Sequence, residues 1–206
     1  MNRNEIANLA LSLLGQTIPV SDFDTDMTVQ GRTIKQWFSV TLYQLLRKHP
    51  WAFATSYAAL PVGTSQPSAG FRFAYQYPAN CLIIRRLACD GKFPKVELSE
   101  EYARRWLEVN VGTGTEIWTD VPQAHAEFTV RIDVNYDFPD HFALGFAHML
   151  AQNVGPKIIS NKWPQMVATF MPEVENQISR AIADDLSMQP NPIEMDSSFI
   201  QVRRGW

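Results

Sequence analysis

The side chains best suited to binding a metal ion or transferring a proton are four histidines, His49, His125, His141 and His148. On a helix, His141 and His148 would share one face but lie roughly 10 Å apart, because seven residues make about two turns. Histidines that bind one metal from one helix are usually three or four residues apart. We therefore interpret all four as structural, and His49, which precedes Pro50, as a cation at a helix C-terminus.

Paired carboxylates are the second group that could catalyse a reaction. They occur at Glu100 and Glu101 and at Asp184 and Asp185. Adjacent helical residues point apart, so both pairs are interpreted as solvated surface charge rather than as a general acid and base. The sequence also has no glycine-rich phosphate loop, nucleophile elbow or zinc motif. We predict that the protein is not an enzyme and that it uses no cofactor or metal.

Arginine doublets at residues 85–86, 104–105 and 203–204 are the most basic features of the sequence. Doublets this short are weak evidence for DNA binding, and the net charge of -3 argues against it. Because Arg85 and Arg86 interrupt an apolar strand, at least one of them should face water, a lumen or a partner. An ordinary exposed sheet face is the alternative.

Cys81 and Cys89 both have apolar neighbours. They are interpreted as buried free thiols, with a disulfide as the alternative. The N-terminal residues lack the basic and then apolar order of a signal peptide, and no apolar run approaches the roughly 18 residues that span a bilayer. We expect a soluble protein of the cytoplasm.

Apolar periodicity predicts four helices that would hold these residues in place. The first covers residues 2–14, between a cap at Asn2 and a stop at Gly15, and the second covers residues 26–49. A third begins with Asp140 as its cap and reaches about residue 159. The fourth has apolar residues at steps of about four from Met166 to Leu186, with a kink or a late restart at Pro172.

Between the second and third helices the apolar period changes to two. Residues 51–57, 71–75, 82–87, 116–119 and 128–134 are β-prone, and Gly, Pro and Ser clusters separate them. The predicted fold class is α+β, a four-helix bundle with an inserted antiparallel β-sheet region. The helical bundle comprises residues 1–50 and 138–188, and the inserted β region comprises residues 51–137.

Residues 189–206 form the last segment, which we predict to be an extended C-terminal arm. Pro190 and Pro192 favour an extended backbone at its start. Apolar and basic residues follow, among them Phe199, Ile200 and Trp206, without helical spacing. Such a segment is either disordered or buried in another chain, and we predict the second.

Five segments, taken in order, resemble the head-to-tail adaptor proteins of tailed bacteriophages, the group that includes tail tubular protein A of short-tailed phages. They are residues 8–15 (NLALSLLG), 18–22 (IPVSD), 42–55 ending in HPWAFAT, 73–87 beginning FAYQYPANCL, and 198–204 (SFIQVRR). The resemblance spans nearly the whole chain. It rests on the order and spacing of the segments rather than on one motif.

The resemblance implies a structural virion protein at the head-tail junction, assembled in the host cytoplasm. Such adaptors form a homo-oligomeric ring, typically of twelve subunits, between the portal protein and a downstream tail protein, a nozzle or a stopper. The genome passes through the lumen without specific binding, and no membrane is involved. The portal-binding residues carried over are Phe199, Ile200, Val202, Arg203, Arg204 and Trp206. Trp37, Arg85 and Arg86 are candidates for the interface between subunits.

Two alternative functions remain open from the sequence. One is a tail protein that degrades the cell wall as a peptidoglycan hydrolase, for which Glu100, Glu101 and Glu116 are the candidate acids. The other is a head-completion or stopper connector, which differs from the adaptor in its position in the particle.

Overall fold

Asn2 begins the first helix of the chain through a capping box. Its side-chain oxygen accepts hydrogen bonds from the backbone N–H groups of Asn4 and Glu5, and Glu5 accepts one from the backbone N–H of Asn2. Four backbone donors at a helix start lack internal partners, and this exchange satisfies some of them. The chain leaves the helix through Gly15, whose positive φ of 71° suits glycine. Both predicted ends of this helix are confirmed.

The computed structural model describes residues 1–91, 106–112 and 114–188. Within these ranges there are four helices, α1 (Arg3–Leu13), α2 (Val29–Lys48), α3 (Asp140–Ile158) and α4 (Trp163–Met188). A 3₁₀ turn (Ala52–Ala54) follows α2. The six strands are β1 (Thr55–Ala59), β2 (Phe73–Gln76), β3 (Cys81–Cys89), β4 (Trp106–Asn110), β5 (Thr115–Thr119) and β6 (Ala124–Val130). The α+β class is confirmed.

The predicted four-helix bundle is wrong, because α3 lies at the centre of the helical part. The helices α1, α2 and α4 each pack against α3, and no pair among these three makes comparable contact in the described part of the chain. Helix α3 itself carries buried residues around its circumference. Small ones such as Ala143, Gly145 and Ala147 let other helices approach on several sides. A bundle instead places each helix beside two neighbours around a shared core.

Helix α4 is continuous from Trp163 to Met188, although Pro172 lies inside it. The predicted late restart at Pro172 is therefore wrong. Asp140 is the first residue of α3 rather than its cap, because the preceding Pro139 occupies the cap position without a side-chain hydrogen bond.

The strands form two antiparallel sheets of three rather than one small sheet region. Their orders are β1-β6-β3 in the first sheet and β2-β5-β4 in the second. One apolar cluster contains residues of both sheets, including Ile84 and Phe128 from the first and Tyr75 and Ile117 from the second. Burial of both inner faces in this cluster holds the sheets together.

Two strand boundaries differ from the sequence prediction. Residues 51–54 form the 3₁₀ turn and its approach, because Trp51 is buried in the helical core and its indole Nε1 donates to the carbonyl of Leu45 at 3.0 Å. At the other end of the region, β6 stops at Val130, although the alternation of the sequence continues to residue 134. Strand β4 was not predicted.

Candidate functional site

The predicted arm, residues 189–206, lies outside the described residues, and so do its six candidate portal contacts. What the structure does describe is the end of α4, from which the arm continues. Leu186 and Met188, in the last turn of α4, are 54% and 68% exposed. The sequence pattern places Leu186 on the buried apolar stripe of α4, but the structure exposes it. The buried stripe therefore ends before residues 186–188.

Arg85 is committed to contacts inside the protein. Its Nη2 donates to the carbonyl oxygens of Leu46 and His49 at 2.8 and 3.1 Å, and its Nη1 donates to that of Arg47 at 3.0 Å. Its Nε donates to the hydroxyl of Thr129 at 3.0 Å. The guanidinium thus caps the C-terminal end of α2, where carbonyl groups lack helical partners.

Arg86, the next residue of β3, points elsewhere. It pairs with the buried carboxylate of Glu127 on β6, to which its Nε donates at 2.6 Å. Trp37 is half-buried against the helical core. Along α2 it lies about 14 Å, at 1.5 Å per residue, from Leu46, whose carbonyl Arg85 contacts. Of the three residues predicted for a subunit interface, Arg85 and Arg86 thus have partners within the chain, and Trp37 is half-buried.

Glu116 is the only candidate acid of the hydrolase alternative that the structure describes, and it is 4% exposed. Its carboxylate accepts from the backbone N–H groups of Thr64 and Ser65 at 2.8 and 3.3 Å and from both hydroxyls. These donors, the Ser65 hydroxyl first, lower the pKa of Glu116 below its ordinary value. A general acid needs a raised pKa, so Glu116 is a structural anchor for the loop at residues 64–65.

Asp185 contradicts the interpretation of residues 184 and 185 as a solvated pair, because it is 2% exposed. Its Oδ2 lies 3.1 Å from Nε2 of His49, and both carboxylate oxygens accept from the backbone N–H of Ala52 at 3.2 Å. Nε2 of His141 stands 3.7 Å from Oδ1. Three helices and the turn before β1 therefore meet at one buried carboxylate.

A signal in the sequence could have found Asp185. The buried residues of α4 are Val174, Ile178, Ala181 and Asp185, at steps of four, three and four. A carboxylate at the next position of an apolar stripe is a candidate for burial, and a buried carboxylate needs partners. The partner His49 lies 136 residues away in sequence, so spacing could not identify it.

The two other histidines have structural partners. Nδ1 of His148 lies 2.8 Å from the carbonyl oxygen of Leu144, and its ring stacks on Phe170. Nδ1 of His125 lies 3.1 Å from the carbonyl oxygen of Gln123. In the described part of the chain, no group of three or more His, Cys, Asp and Glu side chains has the geometry of a metal site.

The two cysteines are free, so the disulfide alternative is wrong. Cys81 is buried, and its burial raises the pKa of its thiol above the ordinary value. Desolvation by burial also raises the pKa of the neighbouring Tyr77 phenol. A buried thiol with a raised pKa is a poor nucleophile.

None of the helices in the described ranges is long and apolar enough to cross a bilayer. No family model matches the sequence, and no curated protein matches it.

Proposed function

We propose that this protein is a structural component of a bacteriophage particle, a head-to-tail adaptor whose subunits form a ring between the portal and the tail. The proposal starts from the five ordered segments that resemble such adaptors. In the structure, the HPWAFAT segment is the junction between the helices and the first sheet. His49 and Trp51 are buried there, and Phe53 packs against the same core.

The observation that carries the proposal is the uncovered end of α4. Leu186 and Met188 expose apolar surface directly before residues 189–206, which contain Phe199, Ile200 and Trp206. The helix end and the next segment thus both carry large apolar side chains, and aromatic residues of this kind are enriched where proteins bury surface against each other. Eighteen extended residues span up to about 60 Å, which is enough to reach well into a neighbouring protein.

In this proposal the portal protein is the partner of the arm. Aromatic and arginine side chains dominate the binding energy of many interfaces, and Trp206, Arg203 and Arg204 are of these types. The remaining subunit contacts form a ring, typically of twelve copies. The genome passes through its lumen, and a downstream tail protein docks against the β region.

Cell-wall hydrolysis is less well supported than the adaptor role. Of its three candidate acids, Glu100 and Glu101 lie outside the described residues. Glu116 is already saturated by donors of its own loop, which lower its pKa.

Assembly of particles tests the adaptor role. Deletion of residues 190–206 should leave a folded protein that cannot join portal-containing, DNA-filled heads. A matched control replaces Ser197 and Ser198 with alanine in the same segment and should assemble normally. If the truncated protein gives infectious particles at normal yield, the assignment of the arm fails.

A further inference from the structure

Asp185 lies one turn before the end of α4 and is the last buried residue of that helix. Residues 186–188, which follow it, are exposed. Its carboxylate is therefore the last buried group before the chain leaves the helical part. Its contacts to His49 and Ala52 are made with the junction of the helices and the first sheet.

We propose that Asp185, His49 and Ala52 form a latch, a set of buried contacts that holds the end of α4 to the turn before β1. Because residues 189–206 follow α4 in the sequence, the latch also sets where that segment begins. The latch itself is independent of the adaptor role, but its use to couple the β region to a portal-binding arm rests on the proposed function.

The contacts of Asp185 with His49 and Ala52 matter for the position of the helix end because the carboxylate is buried. A carboxylate 2% exposed is stable only while donors replace its lost water. The backbone N–H of Ala52 and the imidazole of His49 supply such contacts from residues 49–52. If the helix end moves away from the junction, both contacts break together, so the latch is either made or open.

His141 gives the latch a second feature. Its Nε2 is buried and has no hydrogen-bond partner among the described residues, and it stands 3.7 Å from Oδ1 of Asp185. This distance is too long for a hydrogen bond. The carboxylate thus has one imidazole engaged and a second beside it that is not hydrogen-bonded to it.

Hydrogen exchange of the backbone amides tests the latch on the full chain. In the Asp185→Asn variant we expect the amides of residues 181–188 to exchange at least tenfold faster, while those of residues 142–151 in α3 keep their rates. Asp184→Asn is the matched control, because Asp184 is the exposed neighbour of the same residue type. It should leave both regions unchanged.

Three results would overturn the proposal. They are unprotected amides at residues 181–188 in the unmodified protein, less than a threefold change in Asp185→Asn, and equal acceleration of all helices. If Asp185→Asn fails to fold by circular dichroism, His49→Gln is judged by the same criteria. None of these readouts involves the portal, so failure of the latch and failure of the adaptor role are separate results.

Discussion

Replacement of Arg85 by methionine should destabilise the fold strongly, although the residue lies on a strand of the β region. Methionine retains much of the apolar stem but removes the guanidinium. The variant loses the four hydrogen bonds to Leu46, Arg47, His49 and Thr129. The C-terminal carbonyl groups of α2 then lose their cap.

The magnitude follows from the type and burial of these bonds. Hydrogen bonds to a charged group contribute about 1.5–3 kcal/mol each when buried, but the one to Arg47 is exposed and contributes little. Desolvation lowers the pKa of Arg85, which means that burial of its charge offsets part of the gain. We therefore expect a loss of about 2–4 kcal/mol in the free energy of unfolding, well below the sum of the bonds.

Urea denaturation monitored by tryptophan fluorescence measures this loss from the midpoint and slope of the transition. Arg85→Lys keeps the charge without the planar fork and should lose about half as much. Arg47→Met removes an exposed arginine from the same helix end and should change stability by no more than about 0.5 kcal/mol. If Arg85→Met and Arg47→Met unfold at the same urea concentration, the guanidinium does not cap α2.

Three further outcomes are expected. Because its donors lower the folded-state pKa of Glu116, its charge stabilises the fold above the ordinary value of 4.5, and this contribution is lost as the pH falls through the folded-state pKa. Glu116→Gln should thus cost about 1–3 kcal/mol in urea denaturation at pH 7, and the difference should shrink as the pH falls below the ordinary value of 4.5; a difference that stays constant contradicts this account. Gly155→Ala should lower the thermal midpoint, because its Cβ would lie 2.4 Å from the ring of Trp163, whereas Gly145→Ala meets only ordinary contacts and should not. Cys81 should react with a maleimide at least tenfold more slowly than the second cysteine, and equal rates by mass spectrometry would refute its burial.

Local structure was predictable wherever neighbouring residues decide it. The cap at Asn2, the stop at Gly15 and the end of α2 before Pro50 depend on side-chain and backbone groups a few residues apart. The change of apolar period likewise located five of the six described strands, although not their ends. These features gave the α+β class.

The arrangement of the helices was not predictable in the same way. An apolar stripe indicates which side of a helix is buried but not which helix covers it. The abundance of apolar and small residues in α3 was compatible with a bundle, and only the packing identifies α3 as the central helix.

The buried charges show the same limit. Arg85 interrupts an apolar strand, and the sequence located it correctly as an unusual residue. Its partners at the end of α2 lie 36 to 39 residues away, too far for spacing to identify. Asp185 and His49 are further apart still, so their pairing depends on the tertiary structure alone.

Electron cryomicroscopy of the protein alone and mixed with portal rings tests the central claim most directly. We predict that residues 189–206 become visible only in the mixture, with Phe199, Ile200 and Trp206 buried between portal subunits. An arm that instead packs on the helices of its own chain, both alone and in the intact particle, would contradict the account.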